Sequence, residues 1–465
     1  MLYPSCSSSC SIIHQGEDVI GMLFEVKEGI WFDNLSATIH RGTPGGRRRK
    51  EPGWEPEPRR GQNWRPTLVY LSASESPSSC RSCHADCGSH PFIQTAKPFF
   101  TFADYVESYE RLSRVFGGFD TLSFFGDPLA HFDDLRRFIV HLDTHVPREQ
   151  WPDLAIHVDP ASVTRQQMDV LEHYGFRIAA EIGSLKQTTQ EGGRTLTDAM
   201  DRNAYNRVLR GIDRFTDRDI HVFAQYTFDR SQLDRYEPGL AAEWYSRLES
   251  LQMDNYDVIP LGSSISRARF GVDEQDQWEE ARARYLTFCE ESADYYLHKL
   301  LEDDIAKLPR MFVGLLLRIM TQTLYPDCSA GYSLSLTPDR KIFPCAAFAA
   351  DDRFAVPLDE LNSPEDLTAN PWFRGIQEAE RLRSSKCEKC MALRACSVWC
   401  KAQALDESSP FDQSMDERCM LMSVYTRRIV QFLVEQYPKQ REFIRTKLLA
   451  YDRDRLRQKS AYETV

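Results

Sequence analysis

Seven cysteines in the last third of the chain have an ordered spacing that is typical of metal ligation. The spacing is C-x16-C, a gap, C-x2-C-x5-C-x3-C, and a last cysteine after 18 further residues. Thiolates are the preferred ligands of soft transition metals and iron–sulfur clusters. Seven exceed the needs of one tetrahedral ion and nearly suffice for two four-ligand clusters. The residues are Cys328, Cys345, Cys387, Cys390, Cys396, Cys400 and Cys419.

A second group, Cys80, Cys83 and Cys87, lies on a predicted loop after the first predicted strand. Three thiolates leave one iron of a [4Fe–4S] cube without a protein ligand, and a substrate or cofactor can coordinate that iron. The same loop could instead form a zinc knuckle completed by His84 or His90. The loop by itself leaves both possibilities open.

Length and charge limit the classes of function. At 465 residues the chain is long enough for about three domains. Its formal net charge of -12 argues against a general nucleic-acid binder, which needs a basic face. No apolar window approaches the ~18–20 residues of a membrane span. The 13 cysteines are odd in number and clustered, and no signal peptide is evident, so we expect a reducing, cytoplasmic location.

Strand and helix patterns alternate about six times over residues 67–265, which is typical of parallel β/α units. Six units predict a partial (β/α)6 barrel rather than the complete eight-fold one. The active-site edge of such a sheet is the carboxyl end of its strands, where the loop with Cys80 begins. The predicted strands are 68–71, 122–125, 154–158, 177–182, 221–228 and 256–261, with helices near 133–140, 162–174 and 203–215.

The chain before Thr67 has few folding signals. Its first 40 residues contain some apolar side chains but too few to form a core alone, and residues 41–66 are rich in Pro, Gly and Arg. We expect a poorly structured segment and linker there. A long acidic helix is predicted over 273–307, and the chain after Cys419 has the pattern of a helix that docks through an apolar stripe.

Residues 67–420 resemble the radical S-adenosylmethionine enzymes that carry a C-terminal SPASM domain. The cysteine pattern carries the resemblance, together with the hairpin before Cys345, which has Pro338-Asp339 at its turn and Phe343-Pro344 before the cysteine. Arg340 stands where that family usually has glycine. The resemblance implies an α/β protein: a partial barrel followed by a cysteine-rich iron–sulfur domain and a helical tail.

The resemblance also implies a cofactor site. Phe125-Gly126-Asp127-Pro128 is similar to the family's Gly-Gly-Glu-Pro segment, so Gly126, Asp127 and Pro128 would hold the amino group of S-adenosylmethionine. Glu181 stands where similar enzymes place a polar cofactor contact. The Cys80 loop would hold the barrel's [4Fe–4S] cluster, although its C-x2-C-x3-C spacing is the reverse of the family's C-x3-C-x2-C.

Up to two further clusters are implied in the SPASM region. One would be held by Cys387, Cys390, Cys396 and Cys419. The other would be held by Cys328, Cys345 and Cys400, with Asp327 or a bound substrate as the fourth ligand. Some relatives have an aspartate base directly after the second SPASM cysteine; this chain has Ala346 there. No catalytic side chain is therefore assigned.

These observations divide the chain into an N-terminal segment and linker (1–66), a radical S-adenosylmethionine barrel (67–272), a helical linker (273–327), a SPASM domain (328–420) and a helical tail (421–465). The expected function is generation of a 5'-deoxyadenosyl radical that modifies a peptide or protein. Expected partners are that substrate and a small electron donor such as a flavodoxin or ferredoxin, with no nucleic acid or membrane. The alternatives are a non-catalytic iron–sulfur electron-transfer protein, favoured by the reversed spacing, and a zinc-stabilised interaction protein.

Overall fold

The computed structural model describes most of the chain between residues 97 and 378 and shorter segments on either side. The described residues are 10–12, 22–28, 30–34, 38–41, 65–72, 97–182, 190–191, 194–195, 198–228, 236–251, 253, 255–260, 275–302, 308–321, 330–349, 351–378, 390–393, 395–396, 416–436, 444 and 446–447.

An antiparallel sheet of four strands forms near the N-terminus. Its strands pair in chain order: β1 (Cys10–Ile12), β2 (Met22–Lys27), β3 (Ile30–Asp33) and β4 (Thr38–Arg41). The sequence pattern predicted little structure here. Phe32 is 1% exposed and belongs to the main core, so the sheet is stabilised by surface from the rest of the molecule. This contribution from distant residues explains why local signals did not predict the sheet.

The central sheet has nine strands in the order β12-β11-β8-β7-β6-β5-β13-β14-β15. The strands β5 to β8, β11 and β12 are parallel neighbours, as predicted. These six parallel strands are β5 (Thr67–Leu71), β6 (Thr121–Phe125), β7 (Asp153–Val158), β8 (Arg177–Ile182), β11 (Val222–Phe228) and β12 (Asn255–Pro260). A short hairpin, β9 (Gln190–Glu191) and β10 (Arg194–Thr195), lies between β8 and β11 in the chain.

Three strands from the cysteine-rich part of the chain extend the same sheet. They are β13 (Leu334–Leu336), β14 (Lys341–Phe343) and β15 (Val356–Pro357). The first pairs parallel with β5, and the other two continue antiparallel. The hairpin predicted around Pro338 is therefore confirmed, and it also covers the free edge of the first parallel strand.

Helices connect the parallel strands, and local signals fix their ends. Helix α1 (Phe102–Phe116) begins at a capping box formed by Thr101 and Asp104 and ends at Gly117, whose φ is 73°. A second capping box, Thr164 with Gln167, begins α3. The other helices of this part are α2 (Phe132–His145), α3 (Arg165–His173), α4 (Asp198–Thr216) and α5 (Leu240–Glu249).

The remaining helices form the C-terminal half. They are α6 (Gln275–Glu302), α7 (Arg310–Thr321), α8 (Asp366–Ala369), α9 (Pro371–Glu378) and α10 (Asp416–Glu435). Helix α6 packs along α10, where Arg427 pairs with Glu290 and Arg428 pairs with Asp294. The predicted acidic helix and the predicted docking helix after Cys419 are confirmed as helices, and they dock on each other.

One large core joins the helices to one face of the sheet. Alternate residues of the strands enter it, which is the period-2 pattern of a strand with two distinct faces. They are Leu68, Tyr70, Leu122, Phe124, Leu154, Ile156, Ile178, Ala180, Val222, Ala224, Leu334 and Leu336. A smaller apolar cluster includes Leu71 and packs against Phe125. These two residues end β5 and β6 and belong to the alternate strand positions, which do not enter the large core. In the described part of the chain, no helix is long and apolar enough to cross a membrane.

Candidate functional site

The carboxyl ends of β5 and β6 meet at a junction that only glycine fits. Gly126 has φ of +88°, and a Cβ added to it would lie 2.0 Å from the carbonyl oxygen of Ser72. The backbone N–H of Ser72 donates to the Phe125 carbonyl at 3.0 Å, which holds the two strand ends together. The missing side chain therefore allows the backbone of Ser72 to approach Gly126 closely.

Asp127 and Pro128 continue from this junction into a turn. Asp127 is half-buried, Pro128 is buried, and the Asp127 carbonyl accepts a hydrogen bond from the Ala130 N–H at 3.2 Å. The segment therefore brings a partly accessible carboxylate to the carboxyl edge of the sheet, next to Gly126. A carboxylate beside exposed backbone can bind the ammonium group of an amino-acid ligand.

His157 lies beside this junction and was not identified from the sequence. It is the fifth residue of β7, it is 8% exposed, and its ring stacks on Phe125 with centroids 4.5 Å apart. Burial lowers the pKa of His157 to about 4, so the imidazole is neutral at pH 7. Within the described part of the chain, neither ring nitrogen makes a hydrogen bond. A buried imidazole in that state suits contact with a ligand.

The other predicted barrel residues are only partly visible. Glu181 lies in β8, in register with Gln225 of β11, and its side chain lies outside the described set. Cys80, Cys83 and Cys87 fall in 73–96, also outside the described residues. Ser72 is the last described residue before that loop, so the chain enters it directly beside Gly126.

Cys345 follows a strand that runs opposite to β5, so it lies towards the amino ends of the parallel strands and not at the Ser72–Gly126 junction. It follows β14 and packs against the smaller apolar cluster, as Phe125 does. The buried members of that cluster are Leu71, Ala330, Phe343, Phe348, Ala349, Phe354 and Ile376. The apolar contacts therefore connect a predicted metal ligand to the strand end that precedes Gly126.

Cys390 and Cys396 lie elsewhere, in a short turn packed against the large core. The Leu393 N–H donates to the Cys390 carbonyl at 3.1 Å, and the Cys396 N–H donates to the Ala392 carbonyl at 2.8 Å. Cys419 is half-buried on α10. None of these three thiols, nor that of Cys345, is in a disulfide.

The predicted metal sites are incomplete within the described ranges. Cys328, Cys387 and Cys400 lie outside them, as does Asp327. Among the described residues, no three Cys, His, Asp or Glu side chains are close enough to hold a metal ion. The predicted ligand sets therefore stay predictions. Reduced, half-buried thiols beside apolar side chains have the donor chemistry that an iron–sulfur cluster requires.

The turn of the hairpin explains the residue that departs from the family pattern. Arg340 has φ of 66°, a left-handed conformation that favours glycine. Its guanidinium pairs with Asp359 at 2.5 Å and with Glu107 of α1 at 2.9 Å. These ion pairs connect the turn to two other parts of the fold.

Comparison with solved structures shows the fold. Native anSMEcpe with bound AdoMet superposes with a TM-score of 0.59 at 13% identity, covering 82% of this chain and 100% of that chain. Native anSMEcpe with bound AdoMet and Cp18Cys peptide gives a TM-score of 0.58 at 13% identity, covering 82% and 99%. Streptococcus suis SuiB gives 0.45 at 14% identity, covering 76% and 77%.

No protein-family model matches the sequence, and no curated protein matches it. At these identities the likeness concerns the fold alone. The mixed α/β architecture with its parallel sheet is shared with anSMEcpe.

Proposed function

We propose that this protein is a radical S-adenosylmethionine enzyme that modifies a peptide or protein. One observation carries the proposal: the Ser72–Gly126 junction lies at the carboxyl edge of the parallel strands. The fold that contains this edge is similar to that of anSMEcpe, which was solved with bound AdoMet and is covered over its full length. Ligands of parallel α/β folds bind at this edge. The loop with Cys80, Cys83 and Cys87 begins at the junction.

Each residue at the edge has a role in binding. Gly126 would let the ends of β5 and β6 approach each other and so position Asp127, whose carboxylate would pair with the ammonium group of the cofactor. Asp127 is one methylene shorter than the glutamate of similar enzymes. His157 and Phe125 present a neutral imidazole and an aromatic ring to the ligand, and the neutral state avoids repulsion of the cofactor's sulfonium cation.

The cysteines would hold the metal centres. Cys80, Cys83 and Cys87 fit a [4Fe–4S] cluster with one open iron, and the C-terminal thiols fit up to two auxiliary clusters. When bound, the open-iron cluster and S-adenosylmethionine supply a 5'-deoxyadenosyl radical, which abstracts hydrogen from an unactivated carbon. The residues of this chain bind and orient these groups and exclude water from them.

A peptide or protein is the favoured substrate class. The fold neighbour anSMEcpe has been solved with a bound peptide as well as with AdoMet. A small flavodoxin- or ferredoxin-like protein is the proposed electron donor, since the clusters require reduction by single electrons.

The test uses full-length protein reconstituted anaerobically with iron and sulfide. We expect it to cleave S-adenosylmethionine to 5'-deoxyadenosine after reduction, slowly, without a peptide. Cys83→Ala should abolish the product, whereas Cys390→Ala should retain most of it, because only the first cysteine belongs to the proposed barrel cluster. A wild-type protein that is full of iron and yet gives no 5'-deoxyadenosine with several reductants would contradict the enzyme proposal.

A second candidate is a non-catalytic iron–sulfur protein on the same fold. The reversed spacing of Cys80, Cys83 and Cys87 favours it, because the geometry around the open iron would differ. It predicts bound iron and sulfide without cofactor cleavage. A colourless protein that contains zinc would instead support the zinc-stabilised interaction protein.

A further inference from the structure

The N-terminal sheet contacts the turn that contains two of the cysteines. Asn34 directly follows β3 and is fully buried, at 0% exposure. Its side-chain amide Nδ2 donates to the backbone carbonyl of Cys390 at 2.8 Å. The two residues are separated by 356 positions in the chain, so only the tertiary structure brings them together.

The sheet also packs on the helix that contains a third cysteine. Strand β2 contacts α10, which contains Cys419. Phe32 is buried in the large core at 1% exposure, and Val26 packs against that core. These apolar contacts and the Asn34 hydrogen bond attach the sheet to the cysteine-containing part of the chain.

A second buried side chain contacts the other end of the turn. Arg318 of α7 is 7% exposed, and its guanidinium donates to the Ala395 carbonyl at 2.8 Å, one residue before Cys396. Asn34 and Arg318 therefore hold the Cys390–Cys396 turn at its two ends, from two different elements. Both donate to backbone carbonyls, so they fix the path of the chain rather than act as metal ligands.

We propose that Asn34 and Arg318 are positioning residues for the metal centre to which Cys390 and Cys396 contribute, and that the N-terminal sheet is a structural part of that centre. The proposal rests on the proposed function only in that these thiols bind a cluster. Removing a group that orients a metal ligand typically lowers metal affinity by about 10- to 100-fold.

The test removes each donor while preserving shape: Asn34→Leu and Arg318→Met, in the full chain reconstituted with iron. Two matched controls remove similar donors far from this turn. Asn370→Leu removes an amide that donates to the Arg353 and Ala355 carbonyls at 3.0 Å, and Arg111→Met removes a guanidinium that donates to the Leu358 carbonyl at 2.9 Å. Circular dichroism checks that every variant is folded.

The main measurement is the rate at which a chelator removes iron, with the electron paramagnetic resonance spectrum of the reduced protein. We expect Asn34→Leu and Arg318→Met to lose iron from one cluster about tenfold faster than wild type, the usual effect of removing a group that orients a ligand. The spectrum of that cluster should change, and the two controls should match wild type. Adding Cys390→Ala should abolish the difference.

Two outcomes would overturn the inference, and they differ. If Cys390→Ala loses iron but Asn34→Leu and Arg318→Met release it as slowly as the controls, the positioning roles are wrong while the cluster assignment stands. If Cys390→Ala keeps the full iron content, the cluster assignment in the proposed function is wrong as well. An Asn34→Leu variant that fails to fold leaves Arg318→Met, on a separate helix, to decide.

Discussion

Gly126 is the residue at which backbone conformation and close packing coincide. Its φ of +88° disfavours any other residue, and the Ser72 carbonyl oxygen occupies the space that a Cβ would need. Gly175 has a similar φ of +68° but nothing within 4 Å of its added Cβ. Substitutions at the two glycines therefore separate the free-energy cost of the left-handed backbone from that of the steric contact.

We expect Gly126→Ala to destabilise the protein by about 2–4 kcal/mol, the sum of a left-handed backbone penalty and a steric displacement. Gly175→Ala should cost about 1 kcal/mol, because only the backbone penalty applies. Urea unfolding measures both changes, and equilibrium binding of S-adenosylmethionine should weaken only in Gly126→Ala. Equal effects of the two substitutions on stability would show that β5 and β6 do not meet as closely as described.

His157 makes stability depend on pH. Burial lowers its pKa to about 4 in the folded protein, whereas an unfolded chain has a histidine pKa near 6.5. The unfolded state therefore binds more protons between these values. The contribution of the neutral imidazole is present above about pH 6.5 and is lost as the pH falls towards 4.

Relative to His157→Gln, wild-type protein should lose up to about 3 kcal/mol of unfolding free energy between pH 6.5 and pH 4. Denaturant unfolding of both proteins at half-unit pH steps measures the difference. At pH 7.5 the comparison reports only the change in packing, which serves as the reference. Parallel pH profiles for the two proteins would mean that the imidazole is not buried in a neutral form.

At the scale of elements, the cysteine-rich part of the chain completes the sheet. Strand β13 pairs with β5, which would otherwise be an open edge, and Leu334 and Leu336 enter the large core. Arg111 of α1 adds hydrogen bonds to the carbonyls of Leu358 and Asp359 at 2.9 and 2.7 Å. The parallel-strand segment and the cysteine-rich segment thus share one sheet and one core.

A chain truncated after residue 307 should therefore aggregate or be cleaved rapidly by protease, because β5 would expose unpaired backbone groups and apolar side chains. Size-exclusion chromatography and limited proteolysis measure this. A chain ending at residue 447, which keeps every described element, is the control and should remain compact. A monomeric, protease-resistant fragment of 1–307 would show that the barrel segment folds independently.

At the scale of the whole molecule, three of the candidate ligands contact two different apolar clusters. Cys345 packs with the smaller apolar cluster, whereas Cys390 and Cys396 pack against the large core. Ligands of one cluster must lie within bonding distance of the same irons. The separate environments favour two auxiliary metal centres over one.

We expect Cys345→Ala and Cys390→Ala each to remove about four irons per chain, and the double variant to remove about eight, since one cubane cluster holds four. Iron and sulfide analysis after anaerobic reconstitution measures the content. Cys289→Ala is the control, because the thiol is fully buried on α6 and burial raises its pKa, which disfavours the metal-binding thiolate. A double variant that loses no more iron than either single variant would indicate one shared centre.

The sequence by itself determined the order of the central elements. Apolar runs bounded by turn residues predicted β5 at 68–71, where the strand is Thr67–Leu71, and located the strands that follow. Cysteine spacing identified the candidate ligands. These features are local, since a buried strand needs a continuous apolar run and a ligand set needs a fixed spacing.

Only the tertiary structure decided which distant groups meet. His157 stands alone in an apolar strand, and its stacking on Phe125 depends on the register between β6 and β7. Arg340 adopts a conformation typical of glycine, and its ion-pair partners Asp359 and Glu107 come from elsewhere in the fold. The N-terminal sheet forms against α10 and the Cys390 turn, so its burial could not be predicted from its own residues, which contribute only part of the interface that stabilises it.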